Sequence, residues 1–293
     1  MTKLFDPPID SSDSYLRDLL DHPEFEKNRQ YLESLWEEFE PYADKNYMSE
    51  FCRDFHPRFW EMYLGCSFLE HNYRLMHRFS DAGPDIKLDL DGLTVWIEAV
   101  APKKGKGADA VPGLNNDESE KVQWFRVPEE KIILRFTSEI KDKNKKYLDY
   151  LAKEIVKFNE PFVIAINGYE VWPYSEDPDI PLICKAAFPI GQPTIPWDDD
   201  DSFGEEEYSF RPVINKSNNS PVFTNDFLTG NLDGISGILF SLSNYLILPQ
   251  IAGEDMIFIQ NPTAKNPLPN NWINFGLEYW LEPGKLYRKV LPW

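Results

Sequence analysis

No run of apolar residues in this chain reaches the ~18 needed to cross a bilayer, so a membrane span is not expected. Cysteine is scarce. Cys52, Cys66 and Cys184 are an odd number with no C-x-x-C spacing, which argues against a disulfide framework and a structural zinc site and suits reduced thiols. The histidines (His22, His56, His71, His77) include no H-x-H pair, and His71 and His77 would lie on different helix faces, so a histidine metal site is not expected. G-x-S-x-G, P-loop and H-E-x-x-H motifs are all missing. The opening "MTKLFDPPIDSSDSY" lacks the basic-then-apolar pattern of a secretion signal, so a cytoplasmic location is the expectation. Positive charge is in deficit as well: 30 Lys and Arg stand against 49 Asp and Glu, a formal net charge of −19. Phosphate contacts need cations, so this balance taken alone argues against a general nucleic-acid binder.

What the chain does have is a core. Hydrophobic residues make up 42% and aromatics 15% of 293 positions, enough to bury one large domain. The charge is uneven. "WDDDDSFGEEEY" (197–208) holds seven acids and no base. Residues 121–157 hold ten bases and six acids, and Lys103, Lys104 and Lys106 precede them, so an anion-binding surface would lie there. A solvated helix face is the alternative for that run.

Along the chain, residues 12–79 have Leu, Phe, Tyr and Trp at three-to-four spacing and read as helices, with Pro57 in the first turn of "HPRFWEMYLGCSFLEHNY". The period then changes. Ile86, Leu88 and Leu90 alternate with Asp85, Lys87 and Asp89, Val95, Ile97 and Ala99 alternate with Trp96, Glu98 and Val100, and Asp91-Gly92 between the two runs is a strong two-residue hairpin signal. Residues 101–120 read as a loop. Residues 127–158 read as helix with a break near Asn144, "EPFVIAINGYEV" as a buried strand and "PLICKAAFPI" as a further strand. Strands are expected in "GISGILFSLSNYL" and "EDMIFIQNP", followed by an irregular Trp- and Pro-rich end. The expectation is one α/β domain over 1–293: a helical N-terminal layer (1–54), a core (55–190) and a β-rich C-terminal extension (191–293) with a flexible acidic loop at 198–207.

The hairpin carries the candidate chemistry. A two-residue turn at 91–92 pairs Ile86 with Ile97, Lys87 with Trp96 and Asp85 with Glu98. The two acids would be cross-strand neighbours with Cβ atoms about 5 Å apart, a placement that destabilises a sheet. A divalent cation between them removes the repulsion, and Mg²⁺ takes one or two carboxylates plus waters and phosphate oxygens. An acid starting a strand and a solvated strand-end acid are the plainer alternatives. Glu98, however, sits inside "TVWIEAVA", where an unpaired charge is costly to bury.

A helix with a glutamate (Glu61 in "RFWEMYLG"), then Pro84-Asp85, a hairpin and Glu98 on its second strand resembles the PD-(D/E)xK superfamily, the restriction-endonuclease-like nucleases. The resemblance covers about residues 55–190 and extends to the order α, three strands, α, strand. It implies a mixed sheet flanked by helices and Mg²⁺ (or Mn²⁺) held by Asp85 and Glu98, with the Ala99 carbonyl a possible third ligand. Glu61 would complete the shell through water. The implied activity is hydrolysis of phosphodiester bonds in DNA or RNA, in a family whose members often dimerise. The motif lysine that handles the attacking water should stand at position 100, where this chain has Val100. Lys143 is the first substitute, because it interrupts the apolar stripe Phe136, Ile140, Tyr147, Tyr150; Lys87, on the acid face of the hairpin, is the second. Arg135, flanked by apolar residues, would contact phosphate. Val100 and the net charge equally suit an inactive nuclease-fold protein that binds a basic protein partner.

Overall fold

One carboxylate starts two helices. Asp13 Oδ1 accepts hydrogen bonds from the Tyr15 and Leu16 amides at 2.9 and 3.2 Å and caps α1 (Ser14–Asp21), while Oδ2 accepts from the Phe55 amide at 3.1 Å. Caps of this kind satisfy amides that the first turn leaves unpaired. The computed structural model describes residues 3–5, 13–77, 82–113, 127–172, 180–195, 197, 207–282 and 285–292. Three further helices follow α1: α2 (Glu26–Phe39), α3 (Tyr47–Arg53) and α4 (Phe55–Glu70). Twelve of the sixteen residues of α4 are buried. Its apolar residues fall on every face rather than in one stripe, and such a helix is stable only inside a core. The core it joins contains Trp36, Phe39, Tyr47 and Phe51 from the N-terminal helices.

After α4 come β1 (Arg74–Leu75), β2 (Ile86–Leu90) and β3 (Leu93–Val100), then the long helix α5 (Glu129–Ala152) and β4 (Phe162–Asn167). The β2–β3 register runs Ile86↔Ile97, Lys87↔Trp96 and Leu88↔Val95, as the Asp91-Gly92 turn dictates. Both turn residues have positive φ (51° and 93°), and the Gly92 amide donates to Asp89 Oδ1 at 2.8 Å. Beyond β4 lie α6 (Leu182–Ala187), β5 (Ile190–Thr194), β6 (Glu207–Phe210), β7 (Val213–Asn215), β8 (Pro221–Phe223), α7 (Asp226–Thr229), β9 (Gly237–Ser241), β10 (Ile257–Gln260), β11 (Leu277–Glu282) and β12 (Lys285–Val290).

Eight strands form one mixed sheet in the order β1-β2-β3-β4-β9-β10-β11-β12. Strands β3, β4 and β9 are mutually parallel and β10 runs parallel to β11, while β1–β2, β2–β3, β9–β10 and β11–β12 are antiparallel. Strand β4 is buried at all six positions. A parallel strand covered on both faces reads as an unbroken apolar run, which explains "FVIAI". Alternate residues feed two cores. Ile97, Val163, Ala165 and Leu239 join the α1–α4 side, and Ile164, Ile166, Ile238 and Phe240 join the α5–α6 side. The chain is therefore α/β, with an eight-stranded mixed sheet flanked by helices. No helix among the described residues is long and apolar enough to cross a membrane.

Four expectations change. "PLICKAAFPI" is not one strand: α6 occupies 182–187 and β5 begins at 190. A short apolar run has no period that separates strand from buried helix. Helix α5 runs unbroken through Asn144 and ends at Ala152, before the expected 158. Buried Tyr147 and Tyr150 beyond Asn144 offset its small propensity cost. The chain end, expected to be irregular, supplies β11 and β12 to the main sheet. Trp280 lies within β11 opposite Tyr287, and no proline falls inside either strand. Of the loop 101–120, residues 101–113 are described and include a 3-10 turn at Gly107–Asp109, and the rest lies outside the described residues, as do 198–206 of the acidic tract.

Two outcomes follow. Gly276 opens β11 at φ +78°, and a Cβ there would meet the Met256 carbonyl oxygen. Gly276→Ala should cost more stability than the ~1 kcal/mol expected for Gly92→Ala in the open hairpin turn, and its thermal midpoint in calorimetry should be the lower of the two. His56 is 1% exposed, and burial pushes its ring down to about 4 despite the bond to Asn167 Oδ1 at 3.1 Å. The unfolded ring binds its proton near 6.5, so this group withdraws stability as pH falls from about 6.5 towards 4, by about 3 kcal/mol in all. That component should vanish from the pH dependence of urea unfolding in His56→Gln.

Candidate functional site

Strand β3 and helix α5 meet around one carboxylate. On β3 the alternation that sends Val95 and Ile97 to the α4 side turns Trp96, Glu98 and Val100 towards α5. Glu98 is fully buried. Its Oε1 accepts from Lys143 Nζ at 2.9 Å and Lys146 Nζ at 2.6 Å, and its Oε2 accepts from the Tyr150 hydroxyl at 3.1 Å. The three α5 residues are spaced three and four apart, so they share one helix face. Burial works against the Lys146 ammonium, but the attraction of Glu98 holds it above the usual lysine range. Burial first and Glu98 second push the Tyr150 hydroxyl up.

Asp85 immediately precedes β2, at the position that continues the hairpin register opposite Glu98. Its Oδ2 accepts from the Ala99 amide at 2.7 Å. Loss of solvent, then the neighbouring Glu98 charge, push its carboxyl above the usual range; Lys143 and Lys146 oppose the shift without cancelling it. Glu61, 3% exposed on α4, is held by Arg58 one turn earlier, with Nη1 to Oε2 at 2.5 Å. The same guanidinium pairs with Asp44 at 3.3 Å and with Glu50.

These groups border a cavity of about 230 Å³. Glu50, Asp54, Glu61, Asp85 and Glu98 line it, facing Arg53, Arg58, Lys143 and Lys146, with Ala99 and Val100 on the β3 wall. The structure thus brings Glu61, Asp85, Glu98, Ala99 and Lys143 to one cavity. It does not bring Lys87 or Arg135 there. Lys87 Nζ lies 4.7 Å over the Trp96 ring, its cross-strand partner. Arg135 donates to the Lys103 carbonyl at 2.9 Å and to Glu139 at 2.8 Å. In each case a nearer partner, an aromatic face or an i,i+4 acid, holds the cation away from the cavity. Lys146, Tyr150 and Arg58 were not singled out by the sequence. Their signals were present: Lys146 and Tyr150 share the face of Lys143, and Arg58 stands three before Glu61.

Among the described residues no group of three or more His, Cys, Asp or Glu is arranged to hold a metal ion. Protein ligands here would therefore number two carboxylates, Asp85 and Glu98, with a backbone carbonyl. That all-oxygen set fits Mg²⁺, which commonly keeps several waters and takes one or two carboxylates. The repulsion between the Asp85 and Glu98 carboxylates is the feature a cation would relieve.

Lys143→Met with Lys146→Met should leave a buried carboxylate with no cation. The expected loss is about 3 kcal/mol at pH 8, measured by urea unfolding. Either single variant should lose much less, since one ammonium remains.

Comparison of the chain with protein-family models, with curated proteins and with solved structures finds no match in any of the three.

Proposed function

We propose that this chain is a metal-dependent nuclease of the restriction-endonuclease-like type, which hydrolyses phosphodiester bonds in DNA or RNA. The observation that carries the reading is the pairing of Asp85 and Glu98 at one cavity with the Lys143 ammonium 2.9 Å from Glu98. The element order α4-β1-β2-β3-α5-β4, with β3 parallel to β4, supports it.

In this reading Asp85 and Glu98 would hold Mg²⁺ or Mn²⁺, with the Ala99 carbonyl beside them. Bound there, the ion would stabilise charge on the phosphate and favour attack by water. The side chains do the rest. Lys143 reaches from α5 the place where a lysine at position 100 would have acted, and orients the attacking water. Lys146, 47% exposed at its side chain, meets a phosphate oxygen. Glu61, anchored by Arg58, orders water on the α4 side. Water oxygen attacks phosphorus and gives up one proton to solvent, one P–O ester bond breaks, and the leaving oxygen takes one proton from solvent, so that water is split across the ester. The net charge of −19 makes binding depend on this local cation cluster, and salt should weaken it.

A second reading is an inactive nuclease-fold protein bound to a basic protein partner. It is favoured by the two ammonium groups that already occupy Glu98 Oε1. Cleavage of plasmid DNA and of single-stranded RNA at low salt separates the two. With Mg²⁺ or Mn²⁺ the chain should cut, and EDTA should stop it. Asp85→Asn, Glu98→Gln and Lys143→Met should each lower the rate by about a hundredfold or more. Lys87→Met should leave it close to the parent rate. No cutting of either substrate by a folded chain, or cutting indifferent to Asp85→Asn, sinks the nuclease reading.

A further inference from the structure

A larger cavity, of about 780 Å³, lies on the α5 side of the sheet between the first turns of α5, helix α6 and the ends of β9, β10 and β11. Small-molecule sites occupy roughly 300–1,000 Å³ and combine apolar walls with a few polar groups. Here Phe136, Trp172, Leu182, Phe240, Leu242 and Leu248 supply apolar wall. Lys185 also lines the cavity and is only 5% exposed.

A buried ammonium needs compensation, and Lys185 has it in part. Its Nζ lies 3.1 Å from Glu129 Oε2, but Arg211 Nη1 takes Glu129 Oε1 at 3.1 Å as well. Two cations share one carboxylate, so this group carries a surplus of one positive charge. The Arg211 Nε atom is buried without a hydrogen-bond partner. Two acids and a further base line the cavity too, Glu254, Asp255 and Arg288. Asp255 is already engaged, accepting hydrogen bonds from the Tyr63 and Ser241 hydroxyls.

We propose that this cavity is a binding site for an amphipathic monoanion, an apolar body with a single carboxylate set against Lys185. The apolar walls call for the body. The surplus of one charge at the Lys185, Arg211 and Glu129 group matches a carboxylate seated against that group and falls short of a phosphate dianion. The site does not depend on the nuclease reading. Glu129 and Lys143 stand at positions of α5 separated by about 20 Å at 1.5 Å per residue, so occupancy can be measured without touching the cleavage cavity.

The test is calorimetric titration of the full chain with decanoate, decanol and decylammonium, three ligands of matched body and different charge. Decanoate should bind with one-to-one stoichiometry and about tenfold more tightly than decanol. Leu182→Trp and Leu248→Trp, which fill the cavity from partly exposed positions, should abolish it. Lys185→Met should remove the preference over decanol while Arg211 keeps Glu129 paired. A chain with net charge −19 attracts decylammonium and repels decanoate everywhere else, so only cavity-dependent binding counts. No saturable decanoate binding overturns the proposal. So does equal or tighter cavity-dependent binding of decanol or decylammonium, or decanoate binding that survives both filled variants.

Discussion

A carboxylate buried inside a β-sheet must be compensated, and most of the site's geometry follows from that requirement. Glu98 has no contact with solvent. Desolvating a lone carboxylate would cost several kcal/mol, so the chain surrounds it with two ammonium groups and a hydroxyl from one helix face. The rotation of α5 over β3 is thereby tied to the charge. If α5 were turned by one residue, Lys143, Lys146 and Tyr150 would leave Glu98 together.

The same arrangement is poorly optimised for stability alone. Asp85 stands beside Glu98 in the hairpin register and gains one backbone hydrogen bond, at the expense of like-charge repulsion. Replacing such groups with apolar residues of similar size is commonly neutral or stabilising. Local conflict of this kind clusters at functional sites. On the far side of the cavity, Arg58 gathers Asp44, Glu50 and Glu61 into a second charge cluster on the α4 side. The cavity therefore lies where two opposite networks meet, one from α3 and α4 and one from α5.

Helix α5 also links this cavity to the larger one. Its first turn supplies Glu129 to Lys185 and Arg211, and its middle supplies the lysines to Glu98. Between the two, Phe136 and Ile140 pack on the sheet within the same core as Ile164 and Phe240. One helix thus carries two lysines that compensate a sheet carboxylate at one point and a carboxylate shared by two cations at another, with apolar packing holding both in place.

The sequence by itself determined what short-range chemistry controls. Asp91-Gly92 set the hairpin register, because a two-residue turn with positive φ admits one pairing, and that pairing put Asp85 opposite Glu98. Lys143 was legible because it interrupts an apolar helical stripe. The apolar run at 162–166 showed a strand covered on both faces. Only the tertiary structure decided the rest. Lys143 and Lys146 reach Glu98 across 45 and 48 residues of chain, and their roles depend on how α5 sits on the sheet. Lys87 stood as the second substitute, and Trp96 offers it a nearer face. The strands β11 and β12 were hidden because the strands they pair with, not their own period, make them strands. Register and helix faces are set by neighbours in sequence; compensation of a buried charge is set by neighbours in space, and those exist only once the sheet and its helices have packed.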